Sequence, residues 1–72
     1  MKFIDNYLDG YLARKICYLC LNHYGAENIR VDYDSAWEQY RITSKLYDKD
    51  LLVFRKRDSL FTLRKLLAEG WQ

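Results

Sequence analysis

A run of apolar residues at helical spacing, from about Asp5 to Tyr24, takes up more than a quarter of this 72-residue chain. Leu8, Leu12, Ile16 and Leu19 fall on one stripe of such a helix. Asp5 or Asn6 is placed to cap its start with a side-chain oxygen. Gly25 follows Tyr24, where a residue with positive φ commonly ends a helix. A helix this long must bury its stripe on something, and only about fifty residues remain to supply that surface.

Those residues read as three strands and a second helix. Ile29, Val31 and Tyr33 alternate with Arg30 and Asp32, the period of a half-buried strand. Asp34-Ser35 is a turn signal. Tyr40, Ile42 and Leu46 alternate with Arg41, Thr43 and Lys45, and Asp48-Lys49-Asp50 forms the next turn. Leu51 to Arg57 makes a third strand, with Leu52 and Phe54 on one side and Val53 on the other. Asp58-Ser59 resembles a helix cap. Leu60, Leu63, Leu66 and Leu67 then give the apolar face of a short helix that ends at Gly70, with Trp71 placed to fold back on its last turn. The chain contains no proline and three glycines, so connections are short and an antiparallel meander is favoured. The expected fold is a single α+β domain over residues 1–72, in the order α-β-β-β-α. Its three-stranded antiparallel meander carries both helices on one face.

Chemistry is hard to assemble from what remains. Cys17-Tyr-Leu-Cys20 with His23 has the flavour of a metal motif. On a continuous helix, however, residues spaced i, i+3, i+6 step about 60° apart, and no other cysteine or histidine exists to complete a tetrahedral site. The two cysteines also lie too deep in the helix for a low-pKa dithiol at its N-terminus. They are expected to be structural thiols. His23 suits the negative end of the helix dipole. Ser35, Ser44 and Ser59 have no nucleophile context, the carboxylates are scattered, and there is no glycine-rich phosphate loop. The expectation is a protein that is not an enzyme and holds no metal or cofactor. The longest apolar run, Ile16 to Leu21, is far short of a membrane span and does not resemble an export signal. A cytoplasmic setting with reduced thiols is expected, without membrane contact or a small-molecule substrate.

Two surfaces compete as binding sites. The net charge is only +2, but residues 37–72 carry eight Lys/Arg against five Asp/Glu. Arg41, Lys45, Arg55, Lys56 and Arg57 form a candidate patch for RNA or DNA. The α-β-β-β-α order is similar to that of double-stranded-RNA-binding domains. Those domains open their second helix with lysines, whereas here Asp58-Ser59-Leu60-Phe61 stands there, and the turn at Asp34-Ser35 is short. Glu38, Asp48, Asp50 and Asp58 also dilute the basic patch.

The other surface is on the first helix, which is too apolar for one core. Opposite its leucine stripe lie Tyr7, Tyr11 and Tyr18, with Arg14 among them. A small-residue flank of Gly10, Ala13 and Cys17 runs between these two sides. The leucines are expected to face the sheet, the small residues the second helix, and the tyrosines a second chain. Tyrosine, tryptophan and arginine are the side chains enriched at interface hot spots, and Trp37 beside the first hairpin turn is a further anchor. The expectation is a small non-enzymatic protein-binding module acting by surface contact with a larger protein, as regulator or inhibitor, or as a homodimer. Phage and mobile-element genes encode many proteins of this kind. Nucleic-acid binding through the basic second half is the alternative.

Overall fold

The computed structural model describes residues 2–72, with side chains from Leu8 onward. Helix α1 spans Lys2–Tyr24, strands β1, β2 and β3 span Ile29–Asp34, Gln39–Ser44 and Asp50–Arg55, and helix α2 spans Ser59–Ala68. Short 3-10 turns at Ala26–Asn28 and Lys56–Asp58 join the helices to the sheet. The α-β-β-β-α order and the antiparallel order β1-β2-β3 are as expected. Helix α1 begins upstream of Asp5 and Asn6, so these residues lie inside it and do not cap it.

Gly25 ends α1 as its position suggests. It sits at φ 91°, its N–H donates to Leu21 O, and a Cβ there would come within 3.0 Å of Asn28 Nδ2 and Glu27 Oε1. Only glycine takes this conformation without strain. Asn28 Nδ2 then donates to Tyr24 O at 2.8 Å, satisfying a carbonyl of the last turn.

Both hairpins close through side-chain oxygens. The Asp34 carboxylate accepts from the N–H groups of Ala36 and Trp37, and Ser44 Oγ accepts from Tyr47 N–H. The residues that return the chain, Glu38 and Asp48, have φ near 50°. Strand β2 therefore stops at Ser44. Lys45 and Leu46 belong to a turn, contrary to the alternation that carries them into the strand. Strand β3 stops at Arg55, so Lys56 and Arg57 lie in the 3-10 turn and not in the strand.

Register sorts the faces. Val31 pairs with Ile42 and Ile42 with Leu52, while Tyr33 pairs with Tyr40 and Tyr40 with Phe54. These side chains point toward the helices. Arg30, Asp32, Arg41, Val53 and Arg55 occupy the opposite face, because directly opposed residues share a side. Between Ile42 and Thr43 the β2–β3 register slips, leaving Leu51 as an extra residue.

One hydrophobic cluster unites Ala13, Ile16, Leu19 and Cys20 of α1 with Ile29, Ile42, Phe54, Leu63 and Leu66. The buried arc of α1 thus straddles the leucine stripe and the small-residue flank, and Leu8 is exposed. The two flanks take partners opposite to those expected. Cys17 and Arg14 lie close enough to Tyr40 of β2 to act on its phenol, so the small-residue side rests on the sheet. His23 stacks on Trp71, which follows α2, with ring centroids 4.1 Å apart and planes 11° from parallel. Leu19, Ile16 and Leu12 precede His23 by four, seven and eleven residues and share its side of the helix. The leucine side therefore runs along α2. The physical reason is volume: the Tyr40 and Phe54 rings fill the space above the sheet, and short side chains allow the helix to lie close over them.

Gly10 is met by the Lys56 side chain just before α2, and His23 by Trp71 just after it. The two helices therefore run in the same direction. Asp58 makes no side-chain cap on α2. The fully buried Ser59 instead donates its hydroxyl to Lys56 O at 2.6 Å, which settles both its own burial and the preceding turn. At the other end Trp71 N–H donates to Leu66 O and Gly70 N–H to Leu67 O, with Gly70 at φ 92°. This Schellman closure turns Trp71 back onto the helices.

Candidate protein interface

Tyr11, Arg14, Lys15 and Tyr18 line one shallow concavity on the flank of α1 that neither α2 nor the sheet occupies. Their spacing of i, i+3, i+4 and i+7 places them together on that side. Tyr11 is 53% exposed and Tyr18 67%, against complete burial of Ala13, Ile16 and Cys20 on the same helix. The Tyr7 side chain lies outside the described residues, so the structure speaks to Tyr11, Arg14 and Tyr18 alone of that set. Lys15 joins them, and its spacing of four from Tyr11 was the signal for it.

The floor beside this flank is aromatic. Tyr33, Tyr40 and Phe54 form a row across the sheet, with centroids 4.6 Å apart between the first two and 5.2 Å between the last two. Burial pushes the Tyr40 phenol above its ordinary value, the nearby Cys17 and Tyr33 push the same way, and Arg14 acts against them. The row is covered at Phe54 and open at Tyr33. Val31 and Tyr33 belong to the helix-facing side of β1 yet are 36% and 45% exposed. Helix α1 thus leaves the β1 side of the sheet partly bare, and Arg14 of its tyrosine flank reaches Tyr40 in the same aromatic row. No motif marks Val31 and Tyr33, but the first strand of a meander is necessarily an edge.

Trp37 is exposed at the β1–β2 turn. It lines a separate concavity with Glu38, Arg55 and Arg57, so it does not join the tyrosines. Arg55 and Arg57 do share a side, while Lys56 turns back toward Gly10. Arg41 lies opposite Asp32 on β1 and 3.8 Å from Asp50, and Arg30 lies 3.0 Å from Asp32. Lys45 is in the β2–β3 turn. The outer sheet face consequently alternates in sign and offers no continuous basic track to follow a phosphate backbone.

Cys17 is half-buried and Cys20 fully buried, both as free thiols. Burial raises the Cys17 thiol above its ordinary value. Burial, with Cys17 adding to it, pushes Cys20 up to about 12. Such thiols are poor nucleophiles and poor metal ligands. Among the described residues no group of three or more His, Cys, Asp or Glu side chains is placed to hold a metal ion, and no helix is long and apolar enough to cross a membrane. Comparison with family models, with curated proteins and with solved structures finds no match.

Proposed function

We propose that this chain is a non-enzymatic protein-binding module that engages its partner through the tyrosine flank of α1. One observation carries the reading: Tyr11 and Tyr18 stand exposed around Arg14 on a helix whose other sides are occupied by α2 and the sheet. Rigid aromatic rings beside an arginine are the composition that concentrates binding energy at interfaces. A regulator or inhibitor acting by surface contact with a larger protein, or a homodimer, fits such a surface.

The test is a pull-down with the tagged chain, with and without nuclease, comparing wild type with Tyr11→Glu/Tyr18→Glu. The expected result is a protein captured by wild type in either condition and lost with the double variant, while circular dichroism shows both folded. Capture insensitive to the two substitutions, or abolished by nuclease, contradicts the reading.

A further inference from the structure

We infer that β1 pairs antiparallel with β1 of a second copy of this chain, with Val31 on the two-fold axis. The inference rests on the reading of the tyrosine flank as a protein-binding surface and gives that surface one occupant.

The backbone favours this pairing. Lys45 N–H donates to Asn28 O, and Lys56 N–H to Glu38 O. Given the β1–β2 and β2–β3 registers, these bonds set the phase of both ladders. Within β1, residues 30, 32 and 34 turn their polar groups toward β2. The N–H and C=O groups of Ile29, Val31 and Tyr33 point outward, where an edge strand leaves them without a ladder partner. With Val31 on the axis, Val31 faces Val31 and Ile29 faces Tyr33, so all three outward residues meet their counterparts.

Charge favours the same register. In that register Arg30 of each copy lies opposite Asp32 of the other, on the outer face of the joined sheet, so two opposite-charge cross-strand pairs form. Neighbouring registers are worse matched: Asp32 on the axis pairs Arg30 with Asp34 but sets Asp32 against Asp32, Arg30 on the axis faces Arg30, and Tyr33 on the axis sets Asp32 against Asp34. Charged side chains usually blunt an edge strand, but the sequence Arg30-Val31-Asp32 is complementary to its own reverse about Val31.

The strand edge alone is a small contact. A stable dimer covers roughly 800 Å² per partner, more than a six-residue strand supplies. A two-fold axis along the sheet normal keeps all four helices on one side. It therefore brings the two α1 flanks, with Arg14 and Tyr18, toward each other above the exposed Val31 and Tyr33. Strand edge, bare sheet and tyrosine flank become one continuous surface.

Sedimentation equilibrium on the full chain tests this. Wild type is expected to dimerise. Arg30→Asp alone, or Asp32→Arg alone, sets like charges opposite each other in both pairs and should weaken self-association at least about tenfold. An equimolar mixture of these two variants restores opposite charges in both pairs and should recover the wild-type dimer. Val31→Pro should give a folded monomer, because the Val31 N–H takes no part in the β1–β2 ladder. If the proline variant fails to fold, the charge-reversal mixture still decides. A wild-type chain monomeric up to about 1 mM, or single variants that mixing does not rescue, overturns the pairing. A monomer that still captures another protein through Tyr11 and Tyr18 overturns the pairing while sparing the protein-binding reading. A β1-paired dimer indifferent to Tyr11→Glu/Tyr18→Glu supports the pairing and overturns the role given to the flank.

Discussion

The two sides of α1 answer to different constraints. On one side Ala13, Ile16 and Cys20 are wholly enclosed between sheet and α2, and any change in their volume is felt by the whole core. On the other, Tyr11 and Tyr18 present large rings to solvent, and among the described residues neither α2 nor the sheet lines the concavity they form. Both sides are apolar and both follow helical spacing. What separates them is the supply of covering surface: α2 takes one flank and the sheet the next, and the third is left over. An apolar flank on a small domain is thus core or contact surface according to the number of elements available to pack on it.

Substitutions on the two sides should therefore differ in their effect on stability. Ile16→Ala, at the centre of the enclosed side, is expected to lower stability by about 2–5 kcal/mol, a large share of the roughly 5–15 kcal/mol such domains have. Chemical denaturation measures it, and a change below about 1 kcal/mol would mean that the enclosed side is misassigned. Trp71→Ala removes the stack on His23 and the edge contact with Tyr24. At about 0.5–1.5 kcal/mol for each pair, roughly 1–3 kcal/mol should be lost, readable from the same experiment.

The thiol of Cys20 gives a pH-dependent version of the comparison. In the unfolded chain it ionises near its ordinary value of 9.0, and in the folded chain only at about 12. Its favourable effect is complete below pH 9 and declines as pH rises from 9 toward 12, by about 1.4 kcal/mol per unit. Wild type should therefore lose more stability than Cys20→Ala between pH 8.5 and 10.5. Parallel pH profiles for the two proteins would refute the enclosed placement of the thiol. The smallest expected effect is on the open side: Tyr11→Glu and Tyr18→Glu should each move stability by no more than about 0.5 kcal/mol. Unfolding of either variant would transfer that tyrosine to the core.

Much of this architecture was legible beforehand. The strand alternation around Val31, Ile42 and Phe54, the stop at Gly25 and the return of Trp71 all follow from local chemistry. The orientation of α1 was not. Helical spacing shows that Leu12, Ile16 and Leu19 share a side, but not whether sheet or helix lies against it. That choice depends on the volume of Tyr40 and Phe54, which meet the helix only after the sheet has formed. Leu46 continued the alternation of β2 in sequence, yet it lies inside the turn that Ser44 opens and Asp48 closes. The exposure of Val31 and Tyr33 depends on how far α1 reaches across the sheet, which no pattern within β1 records.

The parallel course of α1 and α2 carries a kinetic consequence. Ile16 and Leu63 belong to one core cluster but lie about 47 residues apart in the chain, and three strands must be traversed between them. The two hairpins close over far shorter spans and lose less chain entropy in doing so. In a folding order that starts from these hairpins and adds α1 before α2, the leucine side of α1 stays open to solvent until the final step. On this view Leu63→Ala accelerates unfolding and leaves the folding rate almost unchanged, with a φ-value near zero. A φ-value close to one would instead place α2 in the folding nucleus. The leucine side of α1 is, by this order of events, the surface that remains sticky for longest while the protein is being made.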